Sequence, residues 1–265
     1  MRKLWVIGAA AVLVLALAAI AYAQTQDNTY TVVASTSPTN AGTSKKPVPT
    51  SVTFNYTVGE SHGLRPSPIK KYSIGLKGIV VNGSLFPKCS ATQLKAANGI
   101  ANCAKAKVGS GFVENLTGAT NNPDPNAPNN RVTCNLELSV YNAGARKGLL
   151  LLEGGASETD PRRQCPLDFG PSNGIIDANY VSGGGQTALE FNVPNELLHP
   201  APGLDNAVTN VRSKIARKTK RVKGKTRGYY ESVGGCKKGK RPVTVTFTPE
   251  SGSPTRSQGI AKCKS

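Results

Sequence analysis

Val52, Phe54, Tyr56 and Val58 alternate with Ser51, Thr53, Asn55 and Thr57, and this two-residue rhythm recurs along the chain. Successive side chains of a β-strand point to opposite faces, so such alternation marks a strand with one buried and one wet face. RVTCNLELSV sets Val132, Cys134, Leu136, Leu138 and Val140 in one phase. TALEFNV does the same through Leu189, Phe191 and Val193, and RPVTVTFTP through Val243, Val245 and Phe247. In KYSIGLKGIVVNG, Tyr72, Ile74 and Leu76 share a phase that slips at Gly78, where a bulge is expected. The run Leu149 to Leu152 reads as buried on both faces.

Helix is scarce by the same reading. In SATQLKAANGIANCA, Ser90 is placed to cap one short turn carrying Leu94. TGATNNPDPNAPNN, Thr117 to Asn130, reads as an exposed loop, with a domain linker as the alternative. Many short strands separated by turn residues predict an all-β fold: a disulfide-stapled antiparallel β-sandwich with long loops and little helix. Residues 24–265 suffice for one such domain, and two β subdomains remain open. The immunoglobulin core of two Cys around a Trp is excluded, because the single Trp, Trp5, lies in the N-terminal leader.

That leader assigns the compartment. Met1, Arg2 and Lys3 precede an apolar run from Leu4 to Ala19, and Ala21-Tyr22-Ala23 follows. The pattern reads as a signal peptide, residues 1–23, cleaved after Ala23, with an uncleaved anchor as the alternative. The mature chain is then secreted or extracellular, with cell-surface association open to it and no transmembrane segment of its own. Cys89, Cys103, Cys134, Cys165, Cys236 and Cys263 all survive cleavage, and an even count in an exported chain reads as three disulfides. Sequential pairing is expected: Cys89–Cys103, Cys134–Cys165 and Cys236–Cys263. No Cys-x-x-Cys occurs, and His62 and His199 are remote from any Cys in sequence, so no metal site and no cofactor is expected.

IGLKGIVVNGSLFPKCSATQL followed by CAKAKVGSG resembles a pattern in uncharacterised secreted proteins of actinobacteria. In that pattern a strand leads to Pro-x-Cys, a short excursion, a second Cys and a strand containing Val-Gly. The matching residues are Pro87, Cys89, Cys103 and Val108 to Gly111, and GYYESVGGCKKGKRPVTVTFTPESG is similar to the tail of such proteins. Ala104 stands where the pattern often has Pro. The resemblance covers about half of the mature chain and rests on structural residues. It implies no assigned activity and carries over no functional residue.

Catalytic signatures are thin. No phosphate-binding Gly-x-x-x-x-Gly-Lys-Ser/Thr loop occurs. Ser67 to Lys70 matches Ser-x-x-Lys, but Pro68 opposes the helix that motif needs. His62 near Glu60, and His199 before Pro200, read as loop histidines. The acidic pairs Glu153/Glu158 and Asp160/Asp168 sit in loop-like sequence, where a glycosidase pair and solubilising charge look alike. Val181 to Gln186 reads as a tight connection. Asn55, Asn82 and Asn115 head glycosylation sequons.

Charge is the remaining signal. From Ala201 onward there are 16 basic and 3 acidic residues, and Arg212 to Tyr230 holds nine Lys or Arg with no acid. These nine, Arg212, Lys214, Arg217, Lys218, Lys220, Arg221, Lys223, Lys225 and Arg227, form the candidate polyanion-binding set. A basic hairpin is expected within 212–233, with Gly224 at its tip, one arm ending near Val222 and the other running through Tyr229, Tyr230 and Val233. Partners of this kind are anionic surface polymers: wall polymer, acidic polysaccharide, lipid headgroups or extracellular nucleic acid. Specific nucleic-acid recognition is disfavoured, with only Tyr229 and Tyr230 nearby to stack bases. A solvated edge that resists strand pairing accounts for the same residues. The expected role is a secreted, non-enzymatic protein attached to anionic polymers. The alternatives are a carbohydrate-active hydrolase and a protein-binding adhesion module.

Overall fold

The computed structural model describes residues 26–128, 130–155 and 164–264; the expected signal segment lies outside them. In chain order the strands are β1 (Asn28–Ser37), β2 (Val48–Pro49), β3 (Ser51–Glu60), β4 (Ile69–Lys77), β5 (Ile79–Val81), β6 (Lys107–Ala119), β7 (Val132–Thr133), β8 (Leu136–Gly144) and β9 (Lys147–Glu153). They continue as β10 (Ile175–Gly183), β11 (Gln186–Asn192), β12 (Leu204–Ile215), β13 (Thr219–Val222), β14 (Lys225–Gly228), β15 (Tyr230–Ser232), β16 (Lys240–Pro249) and β17 (Thr255–Lys262). Helix is confined to α1 (Ala91–Lys95), α2 (Gly99–Asn102), α3 (Asn195–Leu198) and two short 3-10 turns. The fold is all-β and antiparallel, as its alternation predicts.

One sheet runs β1-β3-β12-β6-β8-β9-β10-β11-β4-β16-β17, with β7 paired beside β6. All pairings along it are antiparallel. Eleven alternating strands leave the first and last pointing the same way, so the two edges can meet only as a parallel seam. They do: just beyond the two strands, Asn40 and Lys264 form a parallel bridge, Ala41 N donates to Lys264 O at 2.7 Å and Lys264 N to Thr39 O at 2.8 Å. The sandwich is therefore a single sheet curled until it nearly closes, and its two layers are the two sides of the curl.

The inward residues of the alternating strands form one core. Val52, Phe54, Tyr56 and Val58 are buried, as are Leu136, Leu138 and Val140, and Val243, Val245 and Phe247. Burial of Leu149 to Leu152 on both faces has a concrete cause. Leu150 and Leu152 join the main core, while Leu149 and Leu151 pack outward against Leu94, Cys89, Cys103 and Tyr141 in a second cluster. That cluster is the excursion carrying α1 and α2, closed by the Cys89–Cys103 bridge. Ser90 caps α1 through a capping box with Gln93, as its position predicts. The other bridges are Cys134–Cys165 and Cys236–Cys263.

Three local expectations are corrected. Val132 is exposed, because the chain steps between β7 and β8, where Cys134 N bonds Asn115 O and Asn135 N bonds Gln164 O, and the phase is reset. Gly78 is not a bulge. There β4 ends, and the chain enters a second sheet ordered β2-β15-β5. Gly78 has φ +64°, and a Cβ on it would fall 2.2 Å from Gly234 O, so the crossing of these two backbones requires glycine. Finally, the Thr117–Asn130 loop is strand as far as Ala119, and its remainder folds back: Arg65 N donates to Pro123 O, and buried Asn130 accepts from Ala119 N.

The ends of the curl are closed differently. At one end the small sheet covers the opening, with Tyr180, Tyr229 and Tyr230 buried beneath it and joined hydroxyl to hydroxyl. At the other end α3 lays Leu197 and Leu198 inward, beside buried Arg65 and Asp205. No described helix is long and apolar enough to cross a membrane.

Candidate functional site

The basic stretch does not behave as one unit. Arg212 and Lys214 belong to β12, where Arg212 Nη2 donates to Glu114 Oε1 at 3.1 Å. The hairpin itself is β13 and β14, shorter than expected and turning at Lys223-Gly224. Both central residues have positive φ, 48° and 76°, which is the mirror-image turn that suits the twist of a two-residue hairpin. The expected second arm divides: β14 ends at Gly228, and Tyr230 to Ser232 leave to pair with β2 and β5.

One face of the hairpin is spent on holding it down. Arg227 donates Nε and Nη2 to the two carboxylate oxygens of Glu231, both at 2.9 Å, and Gly228 N adds a third bond to Oε1 at 2.8 Å. Glu231 is fully buried. Burial acts to raise its pKa, but Arg227, Gly228 N and Asn82 outweigh it and hold the carboxyl below its ordinary value. Lys220 Nζ reaches Leu85 O at 3.2 Å, and Arg217 Nε reaches Pro49 O at 3.0 Å. Lys214, Lys218, Arg221, Lys223 and Lys225 are exposed. Tyr229 and Tyr230 are 0 and 2 % exposed, so neither offers a face on which a base could stack.

Topology adds cations that the linear stretch does not contain. The connections on the hairpin's end of the curl are residues 38–50, 78–106, 145–146, 184–185, 216–239 and 263–264. Together they hold sixteen Lys or Arg and one acid, Glu231. Lys45, Lys46, Lys88, Lys95, Lys105 and Arg146 are exposed members that the sequence reading left out. A second turn, Lys238-Gly239, repeats the geometry of the first, with φ 51° and 75°. Lys240 and Lys262 then stand directly opposite across β16 and β17. Within the same end Arg241 is fully buried with no carboxylate among its hydrogen-bond partners: Nη1 reaches Thr36 Oγ1, and Nη2 reaches Gly234 O and Ser232 Oγ.

The opposite end carries the histidines and most carboxylates. His199, read from sequence as an ordinary loop residue, is held between two of them. Nδ1 is 3.0 Å from Asp205 Oδ1, and Nε2 is 3.0 Å from Glu250 Oε1. Asp205 also takes a bond from buried Arg65 at 3.2 Å and one from Thr120 Oγ1 at 2.7 Å. Burial acts to lower the His199 pKa, but Glu250 and Asp205 outweigh it, and the ring keeps its proton to a higher pH than usual. With both nitrogens facing carboxylates, neither is left to take a proton from a substrate hydroxyl. His62 is fastened to Glu60 in its own turn, Nδ1 lying 3.1 Å from Oε1.

The remaining candidates are structural. Ser67 is buried and accepts from Ser251 N, and Asn82 and Asn115 donate to Gly228 O and Cys134 O. Val181 to Gln186 is the β10–β11 connection, with Gly184 and Gly185 at positive φ. Glu153 ends β9; Glu158 and Asp160 lie outside the described residues. Among the described residues no group of three His, Cys, Asp or Glu is placed to hold a metal ion. No protein-family model, curated protein or solved structure matches the chain.

Proposed function

We propose that this is a secreted, non-enzymatic protein that attaches to anionic polymers of the cell envelope or extracellular space. The attaching element is the hairpin end of the curl as a whole rather than the hairpin alone. The observation that carries this reading is the charge of the connections there: sixteen cations against one carboxylate that is buried and already paired. Clustered charge of one sign concentrates a polyanion, and the attraction is screened over about 10 Å at 0.1 M salt. Export through residues 1–23, with cleavage after Ala23, agrees with three disulfides. Burial of Tyr229 and Tyr230 favours a repeating polyanion over single-stranded nucleic acid read by stacking.

The test is salt elution of residues 24–265 from immobilised sulfated polysaccharide and from phosphocellulose. The wild type is expected to elute only at raised salt. Glu at Lys218, Arg221, Lys223 and Lys225 should move elution to low salt, and Glu at Lys237, Lys238 and Lys240 should do so independently. Elution of both charge-reversed proteins at the wild-type position refutes the proposal.

A further inference from the structure

The interior of the curl is unevenly filled. On one side Tyr30 stacks on Phe247 with ring centroids 4.2 Å apart, and Tyr56 and Tyr72 pack edge-on against the same Phe247. A cavity of about 120 Å³ remains between Tyr56 and Tyr72 on that side and the aliphatic residues of β6, β8, β9, β11 and β12 on the other. Two causes combine. Eight strands close around a space that side chains just fill, whereas the present sheet has eleven in its path. The positions facing that space include Val113, Leu138, Leu150 and Val208, which are shorter than the aromatic residues opposite. Ile74, Leu189, Val208 and Ile215 line the cavity and are only half-buried.

The chemistry of the lining selects the occupant. Asn115, Asn206 and Ser213 on its lining are already engaged, and among the described residues the Tyr72 hydroxyl is the one buried polar side-chain atom of the lining without a hydrogen-bond partner. Asn115 Nδ2 donates to Cys134 O, Asn206 Nδ2 donates to Leu197 O while its Oδ1 accepts from Thr117, and Ser213 Oγ donates to Phe54 O. A water molecule needs two to four polar partners to be stable in a cavity, and the engaged groups offer few. An apolar void of comparable size, about 150 Å³, stays dry and takes up benzene or xenon in another protein. We infer that this cavity is a binding site for a small apolar molecule, with the bulk of one aromatic ring or a short alkyl chain. It is independent of the polyanion-binding end. Tyr230 borders it on that side and Leu197 on the other.

The experiment uses the disulfide-bonded chain with benzene, toluene and xenon as probes and palmitate as a long-chain control. Benzene and toluene are expected to raise the melting temperature saturably, xenon to show a bound NMR resonance, and palmitate to do neither. Val208→Phe fills the space and should weaken benzene binding at least tenfold while leaving circular dichroism and polyanion retention unchanged. Leu150→Phe is the second filling variant should the first fail to fold. The inference is overturned if none of the three small probes binds, or if the folded filled variants respond to benzene as the wild type does.

Discussion

Glu231→Gln tests whether the hairpin is docked as the structure has it. The substitution preserves volume but removes the charge that accepts two bonds from Arg227 and one from Gly228 N. A glutamine can keep the Gly228 bond and one from the guanidinium, and its amide then opposes the other. Hydrogen bonds to charged groups contribute roughly 1.5–3 kcal/mol each, and breaking a buried ion pair costs about 3–5 kcal/mol. The Arg227 side chain is 34 % exposed and recovers hydration, so the lower end applies: about 2–3 kcal/mol at pH 7. That corresponds to roughly 4–12 °C in melting temperature for a domain of this size. The pH dependence is the sharper test. The Glu231 pKa is depressed in the folded protein, so its contribution is complete above the unfolded value, near 4.5, and is lost as pH falls through the folded value. Denaturant unfolding at pH 7 and again at pH 3 should show the gap between wild type and variant narrowing in acid. Other carboxylates act on both proteins and cancel. A gap under about 0.5 kcal/mol at pH 7, below what one charged hydrogen bond contributes, or an equal gap at both pH values, refutes the docking argument.

Two further perturbations address the same architecture. Lys223→Asn and Lys238→Asn put a residue that tolerates positive φ at each turn, and each should stabilise the fold by roughly 0.5–1 kcal/mol in denaturant titration while lowering the salt needed for elution. His199, with its folded pKa raised, contributes stability that is full below about pH 6.5 and is lost as pH rises through the folded value. Melting temperatures between pH 6 and 9 should therefore fall for the wild type and stay flatter for His199→Gln.

The strands were legible because their two faces meet different solvents. Val243, Val245 and Phe247 are buried while Thr244, Thr246 and Thr248 are less so, and this contrast repeats at period two. What alternation does not encode is where a strand stops. Tyr72 to Val81 looks like one strand with a slip, but the requirement at Gly78 comes from Gly234, which approaches it only in the folded chain. Val132 keeps the phase of Leu136 on paper and loses it because Cys134 and Asn135 bond to Asn115 and Gln164 instead of continuing a ladder.

The candidate site was legible in part for a related reason. Nine cations between Arg212 and Tyr230 stand out in the sequence, but which end of the curl a connection occupies depends on how many strands precede it. Lys45, Lys88 and Arg146 join the hairpin's end only once the strand order is known. His199 was missed because Asp205 and Glu250 come to it from β12 and from just beyond β16, the latter 51 residues away.

Stability alone does not account for the hairpin end. Lys occupies the left-handed position of two turns where Asn or Gly is easier. Lys240 faces Lys262 across neighbouring strands where opposite charges would be favourable. Arg241 is buried there without a carboxylate partner. A surface needed only for solubility is served by both signs interspersed, and added acids serve it better than added bases. Each of these three features costs folding free energy, and all three raise the positive field on one end of the molecule. On the proposed reading an extended anionic partner meets the turns at Lys223 and Lys238 together, so reversing charge at either turn should weaken retention while leaving the other to act.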